Sequence, residues 1–588
     1  MAVKLPSVDV VMIGFGWTGA IVGQELTDAG LNVMAFERGR WRDTPTDFSP
    51  AFIQDELRYR YRGHLFEQPA RETVTFRNTR DQTALPMRKL GSFLPGAGVG
   101  GSGIHCNGQT FRFLPYDFEI RSRTVARYGK HAIPADMPLQ DWGVTYAELE
   151  PYLDRFEYIA GISGQAGNLN GTVVPGGNPF EGPRSRPYPN PPMEQTYGPM
   201  LFANAAQDLG MHPYPCPSAN MSRAYTNPLG VRLAPCTYCG FCEKFACGNY
   251  SKACAQTTIL PVLMRKKSFT LKTESEVTKI NLDNTGKRAV SVTYVDAQGN
   301  EYEQPAELIV LGAYILHNVH LLLTSKIGTP YDPQTGKGTL GKNYCYQMTP
   351  SVDVFFDDKI LNPFVGAGAL GMIVDDWNGD AFDHSRLGFL HGGYIAAYMT
   401  TGRPIETELL PKGTPKWGGK WKQAFVKNYL TSMSISLMGS VMPNRDNYLD
   451  LDPTYRDVYG RPLMRMTFDF KHNELALQEF ALGKMAAIAK AMNPRETNEK
   501  RRGPHYDITP YQTTHNVGGA IMGANPKESV VNRYLQHWDV SNLFVVGSSA
   551  FPHNSGYNPT VTLAALTYWA TDAIRTKYLK SPGPLVHA

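Results

Sequence analysis

A glycine-rich turn near the amino end constrains the fold more than any other stretch. An apolar run over residues 8–13 is followed by Gly14, Gly16 and Gly19, which have the G-x-G-x-x-G spacing. The first glycine permits a tight turn, the second lets the backbone approach a pyrophosphate, and the third lets the following helix pack on the strand. The helix amino terminus also favours an anion at this place. The chain is therefore predicted to open with a strand–turn–helix unit that binds a dinucleotide.

Two further features point to the same ligand. A second apolar run, residues 32–36, ends in Glu37. An acidic residue about 20 positions after the motif is placed to accept a hydrogen bond from a ribose hydroxyl. A second glycine-rich stretch, residues 94–108, indicates a backbone that passes close to a flat or charged group. Neither the motif nor Glu37 distinguishes FAD from NAD.

Buried βα units recur later in the chain. The patterns predict a strand over 307–313 with a helix over 315–325, and a strand over 542–547 with a helix over 560–578. Asn558 is predicted as the N-cap of the last helix, with Pro559 as its first residue. Because such units lie at both ends of the chain, the dinucleotide domain is expected to be assembled from separated segments, with a second domain inserted between them.

The intervening stretches give local predictions. Polar residues 55–90 predict an arm or hairpin over the dinucleotide, and residues 163–200 an irregular loop. Residues 141–156 predict a helix whose capping box is formed by Thr145 and Glu148. The basic stretch 411–422, with two tryptophans, is predicted to be an ordinary surface loop. A docking site for a partner or a membrane face is the functional alternative.

Composition excludes several classes of protein. At 588 residues the chain is longer than one typical core, so two or more domains are expected. A net charge of +5 over this length gives no reason to expect nucleic-acid binding. No run of 18 or more apolar residues and no apolar leader occur, so we expect neither a membrane span nor a cleavable signal peptide.

The cysteines are concentrated in one place. Five of the eight lie within 19 residues, at Cys236, Cys239, Cys242, Cys247 and Cys254. Thiolates two to five residues apart can converge on one iron–sulfur cluster or zinc ion, and no histidine lies inside the group. Disulfides or free thiols are the remaining alternative. The spacing does not separate iron–sulfur from zinc, but a flavin enzyme that passes electrons onward would have a use for a cluster.

Two loops near the carboxyl end carry candidates for proton transfer. His515 stands among small residues, and the loop 547–558 delivers His553 and Asn558 to the start of a predicted helix. Oxidation of an alcohol needs a group that takes the hydroxyl proton while hydride leaves the carbon. A histidine can be that base and an asparagine a hydrogen-bond partner. A helix dipole aimed at a flavin would stabilise the charge on the reduced ring.

Taken together, these pieces resemble one family over nearly the whole chain. They are Gly14–Gly19 with Glu37, the loop 98–102, the strand 308–313 and the pair His515 and Asn558. They are similar to the glucose–methanol–choline (GMC) oxidoreductases. The cysteine-rich insert narrows the resemblance to flavoprotein subunits of bacterial membrane-bound sugar and sugar-acid dehydrogenases. Phe15 and Trp17 depart from the small residues that the family usually has between these glycines.

The resemblance implies an α/β fold, α+β overall. A Rossmann-like FAD-binding domain would be built from discontinuous segments, beside a substrate domain with a large mixed or antiparallel sheet. The expected segments are 1–120 (FAD domain, first part), 121–215 (substrate-domain segment and long loops), 216–330 (cysteine insert and FAD domain, second part), 331–505 (substrate domain) and 506–588 (FAD domain, third part, with the catalytic loops).

The resemblance also implies roles for residues. His515 would be the base and Asn558 its partner. His105 would either bond covalently to the flavin or pack over its ring. A three-iron (3Fe-4S) cluster would take three cysteine ligands, for which Cys242 and Cys247 match best, with Cys236 or Cys239 as the third. The chain has more cysteines than such a cluster needs, so the set is left open. The FAD-binding residues would be Gly14, Gly16, Gly19, Glu37, Gly98, Gly100, Gly101, Ser102, His105, Asn107, Val277, Gly547, Pro559 and Thr560.

The implied activity is the oxidation of D-gluconate to 2-keto-D-gluconate. Hydride would pass to the flavin, and electrons would pass through the cluster to a membrane-anchored multihaem cytochrome c subunit and quinone. A small subunit with an export signal would carry the chain to the periplasmic face of the inner membrane. Alternatives are dehydrogenation of 2-ketogluconate, sorbitol, fructose or C3 of a glycoside, an oxidase that uses dioxygen, and a non-catalytic electron-transfer subunit. An acidic substrate would call for Arg or Lys near His515, a neutral sugar for hydroxyls and amides.

Overall fold

The structure is a computed structural model that describes residues 2–48, 65–67, 73–88, 93–400 and 409–587. Residues 55–64, 68–72, 89 and 90 of the predicted arm lie outside the described residues. Its described part contains a short antiparallel strand pair, Thr75–Arg77 with Leu85–Pro86, as expected for a hairpin. Within the described residues, no helix is both long enough and apolar enough to cross a bilayer.

The strands of the described residues are numbered in chain order. They are β1 (Val3–Lys4), β2 (Val8–Ile13), β3 (Val33–Phe36), β4 (Thr75–Arg77), β5 (Leu85–Pro86), β6 (Asn168–Leu169), β7 (Thr172–Val173), β8 (Tyr214–Pro215), β9 (Tyr225–Thr226), β10 (Arg232–Leu233), β11 (Phe269–Lys272), β12 (Glu276–Leu282), β13 (Ala289–Val295), β14 (Glu301–Leu311), β15 (Ser351–Phe355), β16 (Gly371–Val374), β17 (Gly393–Tyr398), β18 (Ser432–Gly439), β19 (Tyr448–Arg456), β20 (Pro462–Thr467), β21 (Glu496–Lys500) and β22 (Leu543–Val545).

The α-helices of the described residues are numbered in the same way. They are α1 (Trp17–Asp28), α2 (Thr44–Asp47), α3 (Pro115–Phe118), α4 (Ile120–Tyr128), α5 (Tyr146–Ala160), α6 (Tyr197–Asp208), α7 (Ala255–Thr258), α8 (Leu260–Leu263), α9 (Ile315–Thr324), α10 (Gly419–Asn428), α11 (His472–Ala491) and α12 (Thr560–Ala573).

The first sheet has eight strands in the order β11-β3-β2-β14-β13-β12, and β1 and β22 also pair with β14. β11, β3, β2, β14 and β22 run parallel, whereas β13 and β12 continue the sheet antiparallel. Residues 10–13 of β2 are buried, and α1 packs against β2, β3 and α12. The sheet is therefore assembled from three distant parts of the chain, as expected for the discontinuous Rossmann-like domain.

The second sheet has six antiparallel strands in the order β21-β15-β18-β17-β16-β8. Helix α11 packs against β15 and β18. A smaller sheet, β19-β20-β4-β5, packs against α9 through β19 and β20. The predicted second domain with a large antiparallel sheet is confirmed. The segment boundaries at 120, 215, 330 and 505 stay predictions.

Two capping predictions had opposite outcomes. Helix α5 begins after Thr145, whose hydroxyl accepts from the Glu148 N–H while the Glu148 carboxylate accepts from the Thr145 N–H, so the capping box is confirmed. The prediction for α12 was wrong, because Pro559 itself is the N-cap and no side chain caps this end. Asn558 turns its side chain toward Tyr394 and His515 instead.

Two of the loop predictions can also be compared with the structure. Residues 163–200 are mostly irregular, apart from the β6–β7 pair and the start of α6. The basic stretch 411–422 is not a loop throughout, because α10 begins at Gly419. Its surface position is confirmed, since Lys416, Trp417 and Lys420 are all exposed.

Candidate functional site

A cavity of about 810 Å³ lies between the parallel sheet and the antiparallel sheet. Its walls come from the turn after β2, the loop 96–109, the start of α9, strand β18 and the loops before α12. A volume of this size is within the range of cofactor and substrate sites. The amino-terminal and carboxyl-terminal motifs, which are 500 residues apart in sequence, thus line one space.

The three glycines of the first motif have different surroundings. Gly14 has φ +88°, and a Cβ there would lie 2.6 Å from the Ala313 Cα. A Cβ at Gly19 would lie 2.4 Å from the Gly14 carbonyl oxygen. At Gly16 the nearest atom would be the Gly100 oxygen, at 3.8 Å. The protein itself requires the first and third glycines, whereas Gly16 faces the cavity. This arrangement fits a backbone approached by a pyrophosphate.

The second glycine-rich stretch is fastened to the first. The Gly100 N–H donates to the Phe15 oxygen over 2.7 Å, and residues 101–103 form a single 3₁₀ turn. Gly100, Gly101 and Ser102 line the cavity. Gly98, like Gly19, does not line it; with φ +113°, Gly98 packs against the Arg40 carbonyl. Both of these glycines therefore shape the backbone behind the site.

Glu37 lies in the wall where the ribose was expected. Its carboxylate accepts from the Phe15 N–H at 3.0 Å and from the Gly39 N–H at 2.9 Å. A carboxylate has about four acceptor positions, so these two bonds fix its orientation and leave capacity for a ribose hydroxyl. Val277 lines the same end of the cavity. Sequence reasoning missed His320 there, whose pKa burial lowers to about 4.

His515 and Asn558 meet at the other end of the cavity. The Asn558 amide nitrogen lies 3.2 Å from His515 Nε2, and His515 Nδ1 lies 2.7 Å from Gln347 Oε1. The Gln347 amide nitrogen donates to the Gly556 oxygen, which leaves Oε1 as an acceptor. The His515 proton therefore resides on Nδ1, and the Nε2 lone pair accepts the Asn558 amide N–H. Burial lowers the pKa of His515 to about 3, so the ring is neutral and able to act as a base.

The loop that carries Asn558 is held at nearly every residue. The Asn554 amide donates to the His515 and Tyr346 carbonyls, and the Tyr394 hydroxyl donates to Asn558 Oδ1. The buried carboxylate of Asp375 accepts from the Tyr557 hydroxyl and from three other groups, which belong to Asn178, Tyr214 and Asn378. Burial raises the pKa of Asp375 to about 6. These contacts fix the position of the catalytic pair.

A second buried group anchors the start of this loop. Asp117, His391 and His553 each offer a possible metal ligand atom, all within 4.8 Å of one another. However, the Trp142 indole N–H donates to His553 Nδ1, so the ring proton must be on Nε2, facing Asp117. His391 Nε2 lies 2.7 Å from the same carboxylate oxygen. These imidazoles hold the pKa of Asp117 well below its usual range despite burial. The group is thus a hydrogen-bonded anchor, and no sequence motif indicated it.

The cysteine-rich segment adjoins the cavity, to whose wall it contributes Glu243. Burial raises the pKa of Cys242 to about 12, the Lys252 ammonium opposes this rise, and the thiols of Cys247, Cys236 and Cys239 add to it. Within the described residues, no three of these sulfurs come within 4.8 Å of one another, the spacing that a single ion would need. Cys254 lies apart, packed against Phe48, Leu65, Ile104 and Ala246.

This segment also contacts the loop that faces the cavity. The buried ammonium of Lys252 donates to the carbonyls of Cys106, Cys242 and Phe245. A Cβ at Gly368 would touch both the Asn107 oxygen and the Cys242 Cβ, so a single glycine separates these two residues. His105 and Asn107 line the cavity, and the His105 ring packs edge-on against Phe66 at 4.7 Å.

The two ends of the cavity differ in the polar side chains that line them. Gly547, Pro559 and Thr560 line it, and their contact with FAD stays a prediction. Among the described lining residues the only Arg and Lys side chains are Arg38, next to Glu37, and Arg461, which pairs with Glu276. The part near His515 instead presents hydroxyls and amides, from Gln109, Ser434, Ser436, Thr513 and Thr514.

The chain matches the family model described as GMC oxidoreductase over residues 143–349 and 443–567. It is also 48% identical to the gluconate 2-dehydrogenase flavoprotein of Pantoea cypripedii, over 100% of this chain and 97% of that protein. The chain belongs to the GMC oxidoreductase family. It is therefore an FAD-dependent oxidoreductase, and the first glycine motif with its cavity is suited to that cofactor.

Other relatives are more distant. The fructose dehydrogenase large subunit of Gluconobacter japonicus is 25% identical over 97% of this chain and 98% of its own length. The 2-methyl-1,2-propanediol dehydrogenase of Mycolicibacterium austroafricanum is 27% identical over 98% of this chain and 97% of its own. Pyridoxine 4-oxidase from Mesorbium loti shares the fold, with a TM-score of 0.58 at 15% identity over 96% of this chain and 99% of its own.

Proposed function

We propose that this GMC oxidoreductase oxidises a secondary alcohol of a sugar acid, converting D-gluconate to 2-keto-D-gluconate. The observation that carries the proposal is that a neutral His515 lies beside Asn558 in the cavity. The substrate is suggested by the gluconate 2-dehydrogenase flavoprotein, to which the whole chain is 48% identical. FAD bound along Gly16, Gly100 and Glu37 would supply the hydride acceptor.

The protein residues have distinct tasks in this reaction. His515 Nε2 takes the proton of the substrate hydroxyl as the carbon loses hydride. Gln347 keeps the imidazole in the tautomer that exposes this lone pair. The Asn558 amide N–H, which here donates to His515 Nε2, would donate to the substrate oxygen when substrate lies between the two side chains, and the Tyr394 hydroxyl orients that amide. The anchors at Asp117 and Asp375 hold the loop so that the pair faces one substrate carbon.

We further propose that three of Cys236, Cys239, Cys242 and Cys247 bind a 3Fe-4S cluster that receives electrons from FAD. Two observations support it: the four cysteines lie within one short stretch of the sequence, and Cys242 lies one glycine away from the cavity-lining Asn107. Covalent attachment of FAD through His105 also stays a proposal.

The proposal includes partners and a location. A small subunit with an export signal would deliver the folded chain to the periplasmic face of the inner membrane. A multihaem cytochrome c subunit would accept the electrons. A complex of several chains is supported by the fructose dehydrogenase relative, which is the large subunit of its enzyme.

The test is anaerobic bleaching of the flavin by gluconate, 2-ketogluconate, sorbitol, fructose and glucosides. Gluconate is expected to bleach the flavin at a lower concentration than any other compound of the panel. If no compound bleached the flavin, a catalytic role would be refuted. In His515→Ala, gluconate should no longer bleach the flavin, whereas dithionite still should. Iron and acid-labile sulfide per chain test the cluster separately.

A neutral sugar or polyol is the second candidate substrate. It is favoured by the hydroxyls and amides near His515 and by the position of both lining arginines at the ribose end, within the described residues. Equal bleaching by gluconate and by sorbitol or fructose would support this candidate. A strong preference for gluconate that weakens at high salt would exclude it, because salt screens recognition of a carboxylate.

A further inference from the structure

The most uneven charge on the molecule lies at α10 and the turn before it. Residues 409–430 contain five lysines and no arginine, aspartate or glutamate. The formal net charge of the whole chain is +5, so the positive and negative residues of all other segments balance. This segment, together with residues 356–365 beside it, is called here the lysine–tryptophan face.

The lysines of this face are available to bind an anion. Lys412, Lys416, Lys420 and Lys422 are exposed, and no ion pair to a described acidic residue is formed by any of them. Lys427 lies 3.9 Å from Asp357. The nearby acids are already engaged, Asp357 by Arg495 and Asp358 by Lys359. The face therefore has a positive charge that the described part of the chain does not neutralise.

Large apolar side chains project among these lysines. Trp417 is 83% exposed and Val426 78% exposed. The Leu361 N–H donates to the Leu430 carbonyl, which brings a second exposed apolar strip, Ile360, Phe364 and Val365, beside the helix. Meanwhile Trp421 and Phe425 stack along the inner side of α10 and are half-buried. The helix is thus held on the protein and presents a mixed basic and apolar outer side.

We propose that the lysine–tryptophan face rests directly on an anionic phospholipid bilayer. Lysines are depleted in protein–protein interfaces, whereas a basic surface with exposed tryptophan and aliphatic side chains is typical of segments that lie in the headgroup region. Anionic lipids supply the complementary charge. The face docks the chain on the membrane surface without crossing it, and this holds whichever substrate the cavity accepts.

The test is co-sedimentation of the FAD-loaded chain with vesicles. The wild type is expected to bind vesicles rich in phosphatidylglycerol and not to bind vesicles of phosphatidylcholine alone. It should dissociate from the anionic vesicles as the salt concentration rises. Replacing Lys412, Lys416, Lys420 and Lys422 with glutamine should weaken binding at least about tenfold. The matched control replaces with glutamine four exposed lysines from other parts of the surface, Lys267, Lys287, Lys337 and Lys580. This variant should bind the vesicles like the wild type.

A second variant separates insertion from charge alone. Binding to the anionic vesicles should shift the tryptophan fluorescence to shorter wavelength, and Trp417→Ala should remove most of that shift. FAD content and melting temperature check that every variant is folded. The proposal is overturned if the wild type does not bind phosphatidylglycerol vesicles, or if the control variant loses binding as much as the lysine variant does. It is also overturned if the lysine variant loses only its association with a partner subunit, which would make the face a protein interface.

Discussion

The tautomer of His515 depends on one uncharged contact, and Gln347→Glu tests how the base is tuned. In the wild type an amide oxygen lies 2.7 Å from His515 Nδ1, and burial keeps the pKa of the imidazole at about 3. A carboxylate there would favour the charged ring. Two unit charges about 4 Å apart interact by about 4 kcal/mol at an effective dielectric constant of about 20. That energy would raise the pKa of His515 to about 6.

The sign of the effect follows from the role of the base. Only neutral His515 can accept the hydroxyl proton, so activity is lost as pH falls through the pKa of the ring. The wild type should keep kcat/KM down to the acid limit of its stability, whereas Gln347→Glu should lose activity below pH of about 6. Anaerobic flavin reduction measured against pH gives the profile. Gln347→Met, which removes the acceptor without adding charge, should lower kcat with no new acid limb. If Gln347→Glu kept the pH profile of the wild type, with no loss of activity at acid pH, the assignment of His515 as the base would be refuted.

Three further predictions concern the cofactor site, the loop anchor and the cysteines. Gly16→Ala should fold normally yet bind FAD at least about tenfold more weakly, because its new Cβ would point into the cavity. Gly14→Ala should lower the melting temperature, because its new Cβ would clash with the backbone of Ala313. At Asp375 the raised pKa means that the folded state binds the proton more tightly; stability should fall by about 3 kcal/mol as pH rises from about 4 to about 6, and Asp375→Asn should abolish this dependence in thermal unfolding. Cys242→Ser should lose iron and acid-labile sulfide, and Cys254→Ser should keep both, since Cys254 lies apart from the other four thiols.

Features set by local chemistry were predictable from the sequence. The strand–glycine–helix unit and the Thr145 capping box each depend on residues close together in the chain, and both are present. The cap of α12 failed for a tertiary reason. Asn558 has a better partner across the cavity than at its own helix end, because His515 and Tyr394 converge on it.

The support of the catalytic loop had no local signal at all. Asp117 and His553 are 436 positions apart, and nothing around either residue predicts the contact. Gln347 likewise stands in no recognisable motif, although it orients His515. Pairings of this kind arise only when both sheets are packed, since each partner is buried by elements from another part of the chain.

The placement of β22 beside β14 also determines when the cofactor site exists. β14 is the junction of the parallel sheet, with β2 on one side and β22 bonded to it through Leu543–Val545. The sheet therefore joins β2, the strand of the motif, to β22, which is synthesised more than 500 residues later, through their shared neighbour β14. Loop closure over such distances is slow and costly in entropy. A ribosome must release nearly the whole chain before the pocket closes, so tight FAD uptake reports completed synthesis, and nascent chains that end before residue 543 should not retain the flavin.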